Sequence, residues 1–422
     1  MTPRLSTLLR IGAACLVAAA WQLGAYPAAW AQQPAPAPGA PPAPAEAAAP
    51  ASTAMATPPM TGPLVANPNP IKFDGGPLNT IYLTGAVSGL ALFQSAPLPG
   101  DHSATADLSN GMFSLQNTEG FLQFFLQVGA YSLPSLGTPY IRVDRIMGDL
   151  FGPIPEGYVK FAPNDAFSVQ IGKLPTLIGA EYAFTFQNMN IERGLLWNQE
   201  PIVSRGVQAN YTAGPLALSV SLNDGFYSDS YNWLTGSAAW TIDKENTLTV
   251  VGGGNFAHTD KNLISCHLLA CEVKTPFFQN NGSIFNLIYT YNAAPWTITP
   301  YFQYTEVPGT PFFPLGPTKA ASTYGAALLA NYAINDNWNL SGRWEYIASS
   351  GNLASGAANL LYGPGSDAFS FTLTPTWQNG IYFVRADASV VSASGTTPGF
   401  AFGKAGTTTT QGRFLLETGV IF

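Results

Sequence analysis

Charged residues are scarce in this chain, at 10% of 422 positions, and several of those in its second half recur as close acid–base combinations. Arg343 and Glu345 stand two residues apart, as do Arg385 and Asp387, while Arg413 and Glu417 stand four apart. In an extended strand, residues i, i+2 and i+4 share a face. Each combination therefore points one way. Such charges can line a water-filled passage and set a transverse field that selects ions. They can equally be solvated or paired with one another at little cost. Lys160 sits in a further alternating stretch, and Gln123, Gln127, Gln170, Gln208, Asn210 and Gln303 would complete a polar lining. The segment from 174 to 203 adds Glu181, Glu192, Arg193, Glu200 and, at its exit, Arg205, set among Phe184, Phe186, Leu195, Leu196 and Trp197. A connection so apolar is not expected to float in water. It is expected to fold into a cavity and narrow it, with Glu192 and Arg193 near the constriction, or else to pack as a lid over a rim. RVDRIMGD, at 142 to 149, supplies Arg142, Asp144 and Arg145 as further mouth charges.

Other chemistries find no support. The three histidines, His102, His258 and His267, all fall in expected loops, so a barrel hydrolase would have no strand histidine beside a nucleophile. Cys266 and Cys271 are five apart near His258 and His267, but there is no C-x-x-C pair and no regular His spacing. An exported context favours a Cys266–Cys271 disulfide over a metal site. No glycine-rich phosphate cradle precedes a helix. No catalytic residue, metal or cofactor is therefore assigned.

The elements that carry these residues are strands. FSFTLTPTW, 369 to 377, sets Phe369, Phe371, Leu373, Pro375 and Trp377 opposite Ser370, Thr372, Thr374 and Thr376. ALSVSLN, 217 to 223, and WNLSGRWEY, 338 to 346, alternate in the same way. Turn signals join many strands tightly: TAGP at 212, DKEN at 243, NAAP at 292, INDN at 334 and QNG at 378, with NTEG at 117 and PND at 163 less clear. Longer stretches separate these hairpins. Beside the short turns stand Tyr211, Trp240, Tyr291, Trp296, Tyr332, Trp338, Trp377 and Tyr382, all on the apolar face. A ring of Trp and Tyr at one level marks a membrane interface, whereas a soluble sandwich would bury its apolar face and has no need of such a girdle. Seven short and eight long connections predict an all-β fold, a transmembrane antiparallel barrel of about 16 strands within a range of 12 to 18.

The ends of the chain agree with export. Arg4 and Arg10, the apolar IGAACLVAAA and Ala29-Trp30-Ala31 read as a cleavable signal peptide over 1–31. Its removal shifts the net charge from −7 to about −9, which argues against a nucleic-acid partner. Residues 32–70 are rich in Pro and Ala and read as a disordered periplasmic tether without a recognition role. The barrel is expected over 71–422. Its last strand, RFLLETGVIF, turns an apolar face to lipid and its edge to the first strand near 81 to 93.

From about Ile71 onward the chain resembles the OmpL-like family of β-barrel porins of Gram-negative outer membranes. The likeness is carried by GKLPTLIGAEYAFTFQNMNIERGLLWNQEP (172 to 201), VQANYTAGPLALSVSLNDGFYSDSYNWLTGSAAWTID (207 to 243) and the terminal Phe422. It implies an outer-membrane channel for passive diffusion of small hydrophilic solutes and ions, without defined ligand residues. It also implies that the strand ending in Phe422 is read by the barrel-assembly machinery, and porin analogy suggests a homotrimer. Two other readings stay open: a substrate-specific channel with a saturable lumen site, or a structural or adhesive barrel with a closed lumen.

Overall fold

The computed structural model describes residues 59–258, 265–267, 270–272, 277–310 and 318–422. The expected signal peptide and most of the expected tether lie outside these residues. Sixteen strands form the barrel. The first eight are β1 (Thr80–Gln94), β2 (Ala104–Asn117), β3 (Leu122–Tyr131), β4 (Gly157–Phe161), β5 (Phe167–Pro175), β6 (Val203–Ala213), β7 (Leu216–Asn223) and β8 (Trp233–Thr241). The others are β9 (Asn246–Asn255), β10 (Ser283–Ala293), β11 (Trp296–Val307), β12 (Ala321–Ala333), β13 (Trp338–Ser349), β14 (Asp367–Asn379), β15 (Tyr382–Ser394) and β16 (Thr410–Ile421). Each pairs antiparallel with its chain neighbours, and β16 pairs with β1 from Arg413↔Gln94 to Ile421↔Ala86, closing the sheet. Closure removes the open edge that a free terminal strand would carry. All seven short connections fall at the turn sequences named above.

Alternation decides which side is which. On β14, Phe369 and Phe371 are each 47% exposed, while Ser370, Thr372, Thr374 and Thr376 are fully buried. Large apolar side chains outside and hydroxyls inside reverse the order of a soluble sheet, as a strand between lipid and a polar interior requires. The eight Trp and Tyr residues beside the short turns all have this outward parity. Trp296 meets Tyr332 across β11 and β12 with ring centroids 4.7 Å apart, and Trp338 is the cross-strand partner of Trp377. Placing a charge at mid-height on this face tests its environment. Leu328 lies on the outward face of β12 between Pro300 and Trp344. Leu328→Arg is expected to cost about 2–4 kcal/mol in denaturant unfolding from phospholipid vesicles, and a loss below about 1 kcal/mol would mean that this face does not meet the hydrocarbon midplane.

The wall is lowest at β4, only five residues long. Upstream of β1, Ile71–Asp74 pairs with its start, from Ile71↔Leu83 to Asp74↔Thr80, on the side where β16 has already ended. In the β9–β10 connection, Ser265–His267 pairs with Ala270–Glu272, and Cys266 is the register partner of Cys271.

Candidate functional site

The connection between β5 and β6 runs inside the barrel. Its neck is closed by the Thr176 amide donating to the Ile202 carbonyl at 3.0 Å and by the Thr176 hydroxyl donating to the Pro201 carbonyl at 2.9 Å. Between these ends the chain has only two short 3-10 turns, Thr185–Gln187 and Leu196–Gln199. Phe184, Leu195, Leu196 and Trp197 are fully buried. The Asn190 side chain donates through Nδ2 to the Thr374 hydroxyl of β14 at 2.6 Å, and the Gln303 side chain of β11 donates to the Leu196 carbonyl at 2.8 Å. The inward course is thus observed, and the lid over the rim is not.

A loop with so little regular structure leaves backbone groups that need partners once water is excluded. The wall charges supply them. Arg343 reaches Glu181 and the Glu192 carbonyl, both at 2.6 Å, and lies 3.2 Å from Glu345. Glu345 accepts from the Leu195 and Leu196 amides at 2.9 and 3.2 Å and from Ser370 at 2.7 Å. Arg385 donates to the carbonyls of Thr185, Asn188 and Met189 at 2.8–3.0 Å and lies 3.7 Å from Glu417. Glu417 accepts from the Thr185 hydroxyl at 2.6 Å, and Asp387 accepts from the Glu192 amide at 2.9 Å. Arg413 pairs with Glu192 at 2.9 Å and donates to the Ser135 carbonyl at 2.7 Å, which ties in the β3–β4 connection as well.

These contacts correct the expectation of pore-lining charges. Arg343, Glu345, Arg385, Asp387, Arg413 and Glu417 do point inward, yet all are buried. They hold the loop and do not border water. Glu192 and Arg193 are also turned away from any opening. Glu192 faces Arg413 and Ser389, and Arg193 donates to the Ile191 carbonyl and stacks 4.8 Å over Trp197. Arg205 departs furthest. It shares the outward parity of Val207 and Tyr211 and sits on the outer wall, bridged to Asp224 at 2.8 Å and Asp229 at 2.5 Å and stacked on Tyr227. Its position at the loop exit suggested a constriction, but strand alternation had already sent it the other way.

Lys160 is placed differently. With Gln123, Tyr158, Gln170, Gln208 and Asn210 it lines a cavity of about 740 Å³ along the β3–β6 wall, running from the short-turn end up to Pro175 and Leu177. The clamp residues lie on β13, β15 and β16, and the loop packs against the rest of the wall, from Trp233 of β8 and Asn286 of β10 round to Asn110 of β2. The interior is thus divided into a packed side and an open, polar side. Sequence reasoning gave Glu200 no partner. It accepts from Tyr301 at 3.4 Å, and burial beside Glu181 raises its carboxyl well above the ordinary carboxylate range.

The comparisons place this architecture. The fold matches outer-membrane-expressed OmpT of Vibrio cholerae at 13% identity, over 84% of this chain and 100% of that one, with TM-score 0.56. It also matches the outer-membrane channel DcaP of Acinetobacter baumannii at 10% identity, over 81% and 97%, TM-score 0.53. An anion-selective porin from Comamonas acidovorans matches at 13% identity, over 81% and 99%, TM-score 0.51. No curated protein matches the sequence. A family model described as "Putative beta-barrel porin-2, OmpL-like" matches residues 80–422, the whole barrel from β1 to the terminal phenylalanine. The chain belongs to the OmpL-like β-barrel porin family of the outer membrane.

Proposed function

We propose that this porin is a non-enzymatic diffusion channel, passing small hydrophilic solutes and ions through the gap between its inward loop and the β3–β6 wall. The observation that supports this reading most is the one-sided interior: one wall sealed by ion pairs, the other bordering a polar cavity that contains Lys160. A narrowed polar opening selects by size and by local charge. In this reading lipid covers the apolar outer face and the strand ending in Phe422 is handed to the barrel-assembly machinery. The homotrimer is proposed by analogy with OmpT, whose in-vitro folded form is described as a trimer. A Cys266–Cys271 disulfide would staple the hairpin in which the two are register partners.

Planar-bilayer recording tests the assignment. The protein is expected to give ohmic single-channel steps, and Lys160→Glu is expected to move the reversal potential in a salt gradient several-fold toward cation permeability. Clear steps whose reversal potential ignores that substitution would mean that the current does not pass the Lys160 wall.

A further inference from the structure

The stretch just upstream of the barrel has a composition that argues against any packed role, and yet it is docked. The amides of Thr61 and Gly62 both donate to the Gln187 carbonyl, at 2.9 and 3.1 Å, and the Gln187 side chain donates back to the Pro59 carbonyl at 3.0 Å. Four residues on, the Val65 amide donates to the Gln378 side chain and the Gln378 side chain returns a bond to the Val65 carbonyl, both at 2.7 Å. Gln187 lies in the inward loop and Gln378 at the end of β14, beside the short β14–β15 turn. The segment therefore spans from the mouth to the loop. Between these anchors Leu64 is buried with Phe184 and Phe186 of the loop and with Ala86, Met112, Phe383 and Ile421 of the wall, and Met60 packs against the same group. The approach at Gly62 is close enough that an added Cβ would stand 2.2 Å from the Asn188 carbonyl oxygen. Only glycine fits there.

Two features give these contacts a purpose. Phe184 and Phe186 stack with centroids 6.1 Å apart, and without Leu64 the apolar group around them would lose one of its buried members. The loop tip that the segment grips, Thr185 to Met189, is also the stretch whose carbonyls Arg385 holds from the wall. The tip is thus clasped between a wall arginine and the upstream chain. The family match begins at residue 80, so of these partners only the upstream segment lies outside the matched residues.

We propose that Pro59–Val65 is an intramolecular latch that closes the periplasmic mouth on the β1–β16 side and holds the inward loop in its narrowing position. The docking stands on the contacts themselves, while the effect on current rests on the channel reading above. Gly62→Val separates the two, because it blocks the close approach without altering any residue of the barrel or the loop. Mature protein folded in detergent is treated with proteinase K, and the same samples are recorded in planar bilayers. The native segment between Pro59 and Val65 is expected to resist cleavage, and the variant to be cut many-fold faster there. The variant and a deletion of residues 32–66 are both expected to show larger, noisier conductance than the native protein. Equal cleavage of native and variant protein would overturn the docking. Faster cleavage with unchanged conductance would overturn the latch. If no form passes current, the channel reading fails, and the cleavage pattern still decides whether the segment docks.

Discussion

Replacing residues 180–198 with a short Gly/Ser linker is expected to raise single-channel conductance several-fold while leaving a folded barrel. The first half of that result follows from where the loop lies. Its buried residues pack across the interior from β8 round to β3, and the start of the loop borders the cavity at Leu177. A barrel of this strand number leaves an aqueous channel when nothing occupies it. The second half follows from bond accounting. The strands are hydrogen-bonded to each other around a closed circuit and owe the loop only side-chain contacts. Removing the loop strips partners from Arg343, Glu345, Arg385, Asp387, Arg413 and Glu417, but water replaces those partners in a wide lumen, and hydrated charges there cost little. The opened pore would carry three added cations and three added anions, so its ion preference should weaken as its conductance grows. The latch would lose Gln187, its upper anchor, so this deletion should subsume the effect of Gly62→Val and not add to it. Conductance unchanged from native protein would show that the loop does not limit the current, and the proposed site would have to be placed elsewhere.

How much of this was legible in the sequence depends on which environment imposes the rule. Hydrocarbon acts on every strand alike, so alternation, girdle and turn spacing gave the barrel, its 16 strands and its seven short turns. Parity also placed Arg343, Arg385, Arg413 and their acidic companions on the inner face. It could not say what they meet there, because many of their partners are backbone carbonyls and amides of the loop, groups that every residue carries and that leave no compositional mark. The same applies to the latch. Thr61, Gly62 and Val65 bind through main-chain atoms, and a Pro/Ala-rich stretch offers no periodicity to suggest docking. Arg205 is a different case. Its alternation with Val207 and Tyr211 by itself marks an outward side chain, whatever the charge of the loop it adjoins.

Arg343→Met should loosen the loop more than any other single substitution in the clamp. The guanidinium serves Glu181, the Glu192 carbonyl, Glu345 and Thr372 at once, with distances of 2.6, 2.6, 3.2 and 3.2 Å. Methionine keeps the apolar stem and deletes the charge, which leaves two acids buried without their cation. Removing one partner from a buried pair costs about 3–5 kcal/mol, since the remaining charge stays uncompensated. The strain can be relieved by letting water in, and the loop is the part that can move, because β13 itself is held by full ladders to β12 and β14. The expected trace is therefore frequent switching between native and larger conductance, with little change in the denaturant midpoint of the barrel. Glu181→Gln combined with Arg343→Met should quieten the channel again in part, because the side-chain oxygen of Gln can still accept from the Gly194 amide and needs no counter-charge, whereas Glu345 has to keep both oxygens for the Leu195 and Leu196 amides. A single variant as quiet as the native channel would mean that the Glu345 bonds to the Leu195 and Leu196 amides hold the loop without help from the arginine. A double variant noisier than the single one would show instead that the charge on Glu181, and not its neutralisation, keeps the loop seated.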